Sequence, residues 1–262
     1  MTIDIYQIDA FTTHVFGGNP AAVCPLQEWL PDETLLNIAK ENNLAETAFF
    51  IHELDNVFHL RWFTPEIEMD LCGHATLASA YVIFNCLNYN IDEITFNSMS
   101  GKLVVRKIDN QIEMNFPSRP PLESSLPEIV SRALSIQPNE IYKARDYLLI
   151  YDSEEDIGNL KVNASILSDI NLDPGGIIVT AKGDEADFVS RFFTPGAAVF
   201  EDPVTGSAHC TLVPFWSERL NKLNLCALQL SDRKGELSCR LDNDRVFIKG
   251  KAVKYLEGKI DI

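Results

Sequence analysis

The chain has 262 residues, 46% hydrophobic and 23% charged, ordinary globular usage that allows a sizeable core and argues against disorder. Its formal net charge of -16 repels a phosphate backbone, and no Lys/Arg stripe reverses this locally, so nucleic acid is a poor partner. The start, Met1-Thr2-Ile3-Asp4-Ile5-Tyr6, has no basic region followed by an apolar stretch, and no uncharged apolar run approaches membrane-spanning length, so a cytoplasmic protein without membrane contact is expected.

A first strand is predicted over 3–11, followed by a turn at Gly17-Gly18-Asn19-Pro20 that can line a pocket. After Pro31 a helix over 32–41 gathers Leu35, Leu36, Ile38 and Ala39 on one face. Strands are expected over 48–52 and 57–63, then a Gly-led apolar helix over 73–84, then strands over 93–96, 102–108 and 111–116. The Pro-dense Pro117-Ser118-Arg119-Pro120-Pro121 reads as a linker. Beyond it come a helix over 126–134, strands over 147–151, 177–181 and 186–193, a second Gly-led helix over 206–216, and strands over 228–230, 236–241 and 245–249. Turn residues such as Asp109-Asn110 and Asp242-Asn243 recur at short intervals, the pattern of curled antiparallel sheet.

The chain repeats itself. Arg61-Trp62-Phe63-Thr64-Pro65 matches Arg191-Phe192-Phe193-Thr194-Pro195, 130 positions later. Each run is followed by a short acidic or small-residue loop and then a Gly-led helix, Gly73-His74-Ala75-Thr76 in the first half and Gly206-Ser207-Ala208-His209 in the second. Both helices are apolar nearly all round, so each should be enclosed by sheet rather than laid on a surface. An α+β chain of two such halves is expected, one spanning 1–117 plus a C-terminal strand over about 250–262 and the other 118–249, with the active site between them.

Glycine at a helix start lets backbone approach a ligand closely, where free N–H groups and the helix dipole favour an anion. A tight turn explains any single glycine equally well; the repetition after matching strands favours binding at Gly73 and Gly206. His74 projects from the first helical turn, as a proton shuttle or as a satisfied core histidine. His209 lies a turn deeper and reads as structural. Cys72 precedes the helix, where a thiol's pKa is lowered, though a buried apolar cysteine is the plainer alternative. Glu46 enters an apolar strand, where partial burial tunes a carboxylate for acid/base work; an exposed strand-start glutamate is the plainer reading. Asp202, behind Pro203, either orients a substrate amine or hydroxyl or caps the helix. Nucleotide-binding glycine patterns, metal-binding histidine spacings and a serine elbow are all missing from the sequence, so neither cofactor nor metal is expected. The six cysteines have no CxxC pairs and read as reduced, mostly core residues.

Asn19-Pro20-Ala21-Ala22-Val23, Glu46-Thr47-Ala48-Phe49, Arg61-Trp62-Phe63-Thr64-Pro65, Leu71-Cys72-Gly73-His74-Ala75-Thr76 and Asp202-Pro203-Val204-Thr205-Gly206-Ser207-Ala208-His209-Cys210 together resemble the PhzF-like family of phenazine biosynthesis. The resemblance runs over almost the whole chain, in the family's order. It implies the diaminopimelate epimerase-like fold, two pseudo-symmetric curled β-barrel halves each wrapped around a central helix. It also implies an isomerase in which Glu46 moves a proton between carbons, aided by His74, Asp202 and Ser207, and a homodimer. The wider superfamily includes racemases with two facing cysteines; Cys72 matches one, but Thr205 stands where the second would be. A threonine hydroxyl does not ionise near neutrality, so two-thiol racemisation is disfavoured.

The expectation is therefore a cofactor-independent isomerase of a small carboxylated substrate. Glu46, His74 and Asp202 are its catalytic groups, and Gly73, Gly206, Ser207, Thr205, Asn19 and Cys72 line the substrate. A Cys72-based amino-acid epimerase and a non-catalytic small-acid or protein-binding scaffold are the alternatives.

Overall fold

The computed structural model describes residues 1–87, 89–168, 170–172, 175–197 and 199–262. In chain order the elements are β1 (Thr2–Ala10), β2 (Asn19–Leu26), α1 (Asp32–Asn42), β3 (Glu46–Leu54), β4 (Val57–Phe63), β5 (Glu68–Met69), α2 (Gly73–Tyr81, running into a π turn), β6 (Glu93–Ser98), β7 (Gly101–Ile108) and β8 (Gln111–Pro117). There follow β9 (Leu122–Glu123), α3 (Glu128–Ala133), β10 (Glu140–Lys143), β11 (Tyr147–Ile150), α4 (Glu154–Asn159), α5 (Ala164–Leu167), β12 (Ile177–Lys182), β13 (Phe188–Phe193), β14 (Glu201–Asp202), α6 (Gly206–Leu220), β15 (Asn224–Gln229), β16 (Gly235–Asp242), β17 (Arg245–Gly250) and β18 (Ala252–Asp261). The chain divides into two compact units, Met1–Phe116 with Ile248–Ile262, and Pro117–Phe247. No described helix is long and apolar enough to cross a membrane.

In the first unit β1 is flanked by β18 and β2, both antiparallel. β2 and β3 run parallel because α1 crosses between them, and β4 and β6 run parallel because α2 does the same. The second unit repeats the device. α4 and α5 separate the parallel β11 and β12, and α6 separates the parallel β13 and β15. The sheet is thus mixed rather than purely antiparallel, since a helical crossover returns the chain in the direction it left.

The repeat extends into side chains. Arg61 grips Glu68 through Nε to Oε1 at 2.6 Å and Nη2 to Oε2 at 2.7 Å. Arg191 grips Glu201 at 2.7 and 2.8 Å through the same atoms. Each guanidinium also lies 5.0 Å from the ring centroid of the phenylalanine two residues on, Phe63 or Phe193. These forked pairs pin the short strands β5 and β14 to β4 and β13, just ahead of each Gly-led helix.

Every residue of α2 from Gly73 to Ala80 is buried, and α2 packs on β1, β2, β3 and β18. In α6, Gly206 and Ala208–Ser217 are buried. Pro214 inside α6 has no N–H for the Cys210 carbonyl. That carbonyl instead accepts the Arg119 backbone N–H at 2.8 Å, so the expected linker is tied to the helix it patches. In the second unit Phe188 stacks on Trp216, whose Nε1 donates to Thr180 Oγ1 at 3.0 Å.

Several elements escaped the sequence pattern. The segment read as a turn at 17–20 opens β2 at Asn19, hidden by Pro20 and Pro25 in the strand. β15 starts at Asn224, four residues before the expected strand, and the short β10, α4 and α5 have too few residues for periodicity to register.

Gly18 turns the chain into β2 with φ +60°, and a Cβ there would stand 2.0 Å from the Ala10 carbonyl oxygen. Gly18→Ala should therefore lower the unfolding free energy by about 3 kcal/mol in urea titration; a loss below about 1 kcal/mol would show that the turn relaxes at little cost.

Candidate active site

Two sets of side chains gather at the starts of the enclosed helices, one in each unit. In the first, β2 begins with the fully buried Asn19, and parallel pairing of Ala21 with Glu46 brings the start of β3 alongside. Cys72 is the residue before α2, in extended conformation, and its side chain makes no capping hydrogen bond. His74 then points back from the first turn. Its Nε2 lies 3.0 Å from Glu46 Oε2, off the line of a straight hydrogen bond. Its Nδ1 accepts from Asn19 Nδ2 at 3.0 Å and lies 3.6 Å from Cys72 Sγ. In the neutral ring, with Nδ1 accepting, the hydrogen sits on Nε2 and faces the carboxylate. The His74 side chain is 4% exposed and that of Glu46 15%, and the Glu46 oxygen that faces the imidazole is itself buried.

Electrostatics separates the roles. Burial, reinforced by the Glu46 charge and only partly offset by His74, pushes the Cys72 thiol up to about 11. Of the two readings of Cys72, burial favours the plainer one of a buried cysteine, because loss of solvation outweighs the dipole. Burial also disfavours a charged His74 ring, but the charges that face it outweigh this and hold the pKa well above the ordinary histidine value; with Cys72 protonated, the charge that acts is the Glu46 carboxylate. Glu46, Cys72 and His74 bring donor atoms within 4.8 Å of one another, a mixed set that a divalent cation can take. Nothing in the spacing of positions 46, 72 and 74 announces it. A cation there would have to displace the thiol proton that burial holds in place.

In the second unit, Thr205 precedes α6 and, like Cys72, makes no side-chain cap. Its hydroxyl instead donates to Asp202 Oδ2 at 2.5 Å. Gln229, at the end of β15, accepts the Thr205 N–H at 2.9 Å and donates to the Asp202 carbonyl at 2.8 Å and to Thr205 Oγ1 at 3.2 Å. Ser231 Oγ donates to the Pro203 carbonyl at 2.8 Å. Gly206 is buried and Ser207 half-buried. The sequence did not single out Gln229 or Ser231, since polar residues at the end of a short strand carry no periodic signal.

His209 is structural. Its Nδ1–H donates to the Thr205 carbonyl at 2.8 Å, the task that Thr76 Oγ1 performs on the Cys72 carbonyl in the first unit. Burial lowers its pKa to about 4.

A largely buried carboxylate backed by a buried imidazole is an arrangement suited to moving protons. Residues 8–258 match the family model for phenazine biosynthesis-like proteins of the PhzC/PhzF type, and the chain belongs to that family. It is 45% identical over 262 residues to an uncharacterized isomerase of Pseudomonas aeruginosa, covering 100% of both chains. The crystal structure of a phenazine biosynthesis protein of the PhzF family from Enterococcus faecalis superposes with TM-score 0.95 at 43% identity, again over 100% of both chains. A hydroxyproline epimerase from Agrobacterium vitis shares the fold at TM-score 0.59 and 9% identity, over 99% of this chain and 92% of that one.

Because the folded protein resists protonating His209, the unfolded chain takes up that proton first as the pH falls. The stability contributed by the neutral ring is full above about pH 6.5 and drains away between there and about pH 4. At 1.36 kcal/mol per pH unit the loss approaches about 3 kcal/mol. Urea titrations across this range should show His209→Asn, which keeps a donor for the Thr205 carbonyl, losing less stability than the wild type; parallel curves would reject the assignment.

Proposed function

We propose that the chain is a cofactor-independent isomerase of a small carboxylated metabolite, with Glu46 as the general acid/base that takes a proton from one carbon and returns it at another. The observation that carries this reading is the Glu46–His74 pair: a carboxylate on a side chain that is only 15% exposed, backed at 3.0 Å by a buried imidazole whose other nitrogen is held by Asn19. Such a carboxylate can accept a proton from carbon while the Nε2–H steadies the charge that develops on substrate or on Glu46. In each unit the backbone N–H groups of an uncapped helix start, at Gly73 in one and at Gly206-Ser207 in the other, suit an anion such as a carboxylate. Asp202 supplies an acceptor for a substrate amine or hydroxyl.

Two observations weigh against a Cys72-based epimerase. Burial keeps the Cys72 proton on sulfur at neutral pH, and the Thr205 hydroxyl, where a second thiol would stand, gives its hydrogen to Asp202. A symmetrical thiol pair has neither member ready.

A library of small carboxylates incubated with the protein in D2O should include one that gains deuterium at carbon. Glu46→Gln should reduce that exchange by at least about a hundredfold with an unchanged melting temperature, and undiminished exchange would refute the assignment. Cys72→Ala should retain exchange within about tenfold of wild type, and iodoacetamide should react slowly with Cys72 at neutral pH. Rapid alkylation coupled to loss of activity would instead favour the thiol mechanism.

A further inference from the structure

We propose that Thr205 and Gln229 are positioning residues that aim the Asp202 carboxylate through a hydrogen-bond relay running in one direction only, from the Gln229 amide through the Thr205 hydroxyl to Asp202 Oδ2. The functional weight of the relay rests on the reading above in which Asp202 contacts substrate.

The polarity is forced by backbone groups. The Thr205 N–H can only donate, and its partner at 2.9 Å is therefore the Gln229 amide oxygen. The Asp202 carbonyl can only accept, and its partner at 2.8 Å is therefore the Gln229 NH2 group. These two bonds leave the Gln229 amide one orientation, so the group 3.2 Å from Thr205 Oγ1 is a donor. A hydroxyl has a single hydrogen. With its oxygen accepting from Gln229, Thr205 directs that hydrogen at Asp202 Oδ2.

The relay sits in a rigid, nearly dry frame. Gln229 is 1% exposed and Thr205 6%, so each hydrogen bond counts for more than it would in water. Residues 202–205 are held at three backbone points, the Asp202 carbonyl and Thr205 N–H by Gln229 and the Pro203 carbonyl by Ser231. Val204 packs so closely on Gly235 that a Cβ there would lie 2.3 Å from a Val204 methyl. With the backbone immobilised, the torsions of the Asp202 side chain remain, and the Thr205 hydroxyl restrains them.

This gives Thr205 a physical reason to be threonine. A thiol is a weak donor and would hold the carboxylate poorly. The matching residue in the first unit, Cys72, has no such duty and turns its sulfur to His74. The two helix starts are thus specialised, one around a proton-carrying pair and the other around a fixed acceptor.

Three variants test the relay: Thr205→Val, which keeps shape and removes the hydroxyl; Thr205→Ser, which restores it; and Gln229→Glu, which replaces the amide donor with an acceptor and draws the Thr205 hydrogen away from Asp202. In crystals of the whole protein, Asp202 should rotate from its wild-type position in Thr205→Val and Gln229→Glu and stay in place in Thr205→Ser. In the deuterium-exchange assay, kcat/KM should fall about tenfold or more in the first two and return to within about threefold of wild type in the serine variant. An unmoved Asp202 in both Thr205→Val and Gln229→Glu overturns the relay, and so does a serine variant as impaired as valine. If Thr205→Val fails to fold, Gln229→Glu set against Thr205→Ser decides. Because the crystallographic arm needs no substrate, a relay that holds while Glu46→Gln stays active separates failure of the proposed mechanism from failure of this inference.

Discussion

An α-helix segment without charges, buried along every face, presents very little polarity to its surroundings except at its start. α2 is such a segment from Gly73 to Ala80, and α6 from Ala208 to Ser217 ahead of its exposed, charged last turn; both helices begin with a buried glycine preceded by a residue whose side chain does not cap it. The first N–H groups of a helix have no intrahelical partner, so enclosing the helix body concentrates unsatisfied donors at one point in each unit. The surrounding architecture serves that point. The parallel pairs β4/β6 and β13/β15 exist because these helices cross between the strands, and the Arg61–Glu68 and Arg191–Glu201 forks lock the short strands from which the chain enters each helix.

On that shared frame burial assigns different chemistry. In the first unit it keeps the Cys72 proton on sulfur, while the Glu46 carboxylate opposes the loss of charge that burial would impose on His74. In the second, His209 has no opposing charge to compensate, and the same loss of solvation leaves it neutral. The contrast between the two histidines is one of neighbours rather than depth, since both are almost completely buried. A carboxylate 3.0 Å away is the difference.

The repeat was legible because it recurs in the residues themselves: Arg-aromatic-Phe-Thr-Pro, a short loop, and a Gly-led apolar helix are local patterns. Glu46, Cys72, His74 and Asp202 were likewise visible as motif residues. Other features lay outside local pattern. β2 was not expected, its first two residues being read as part of a turn at 17–20, because two prolines interrupt its alternation and its strand character comes from pairing on both sides. Gln229 and Ser231 were missed since their importance comes from backbone groups more than twenty residues away in the chain.

The sequence by itself determined the apolar enclosed helices, the glycines that open them, the acid/base residue types and the duplication, because each depends on neighbours within a few residues. Tertiary structure decided which of those residues have protons to move. Cys72 stands at a helix start, where the local rule lowers a thiol's pKa, yet it is held up at about 11 because solvation depends on everything packed around the sulfur. Thr205 looked like a substitute for a second thiol until folding brought Gln229 against it and committed its hydrogen to Asp202. Local sequence specifies a group's chemistry, whereas its charge and the direction of its hydrogen bonds are set by partners that only the folded chain supplies.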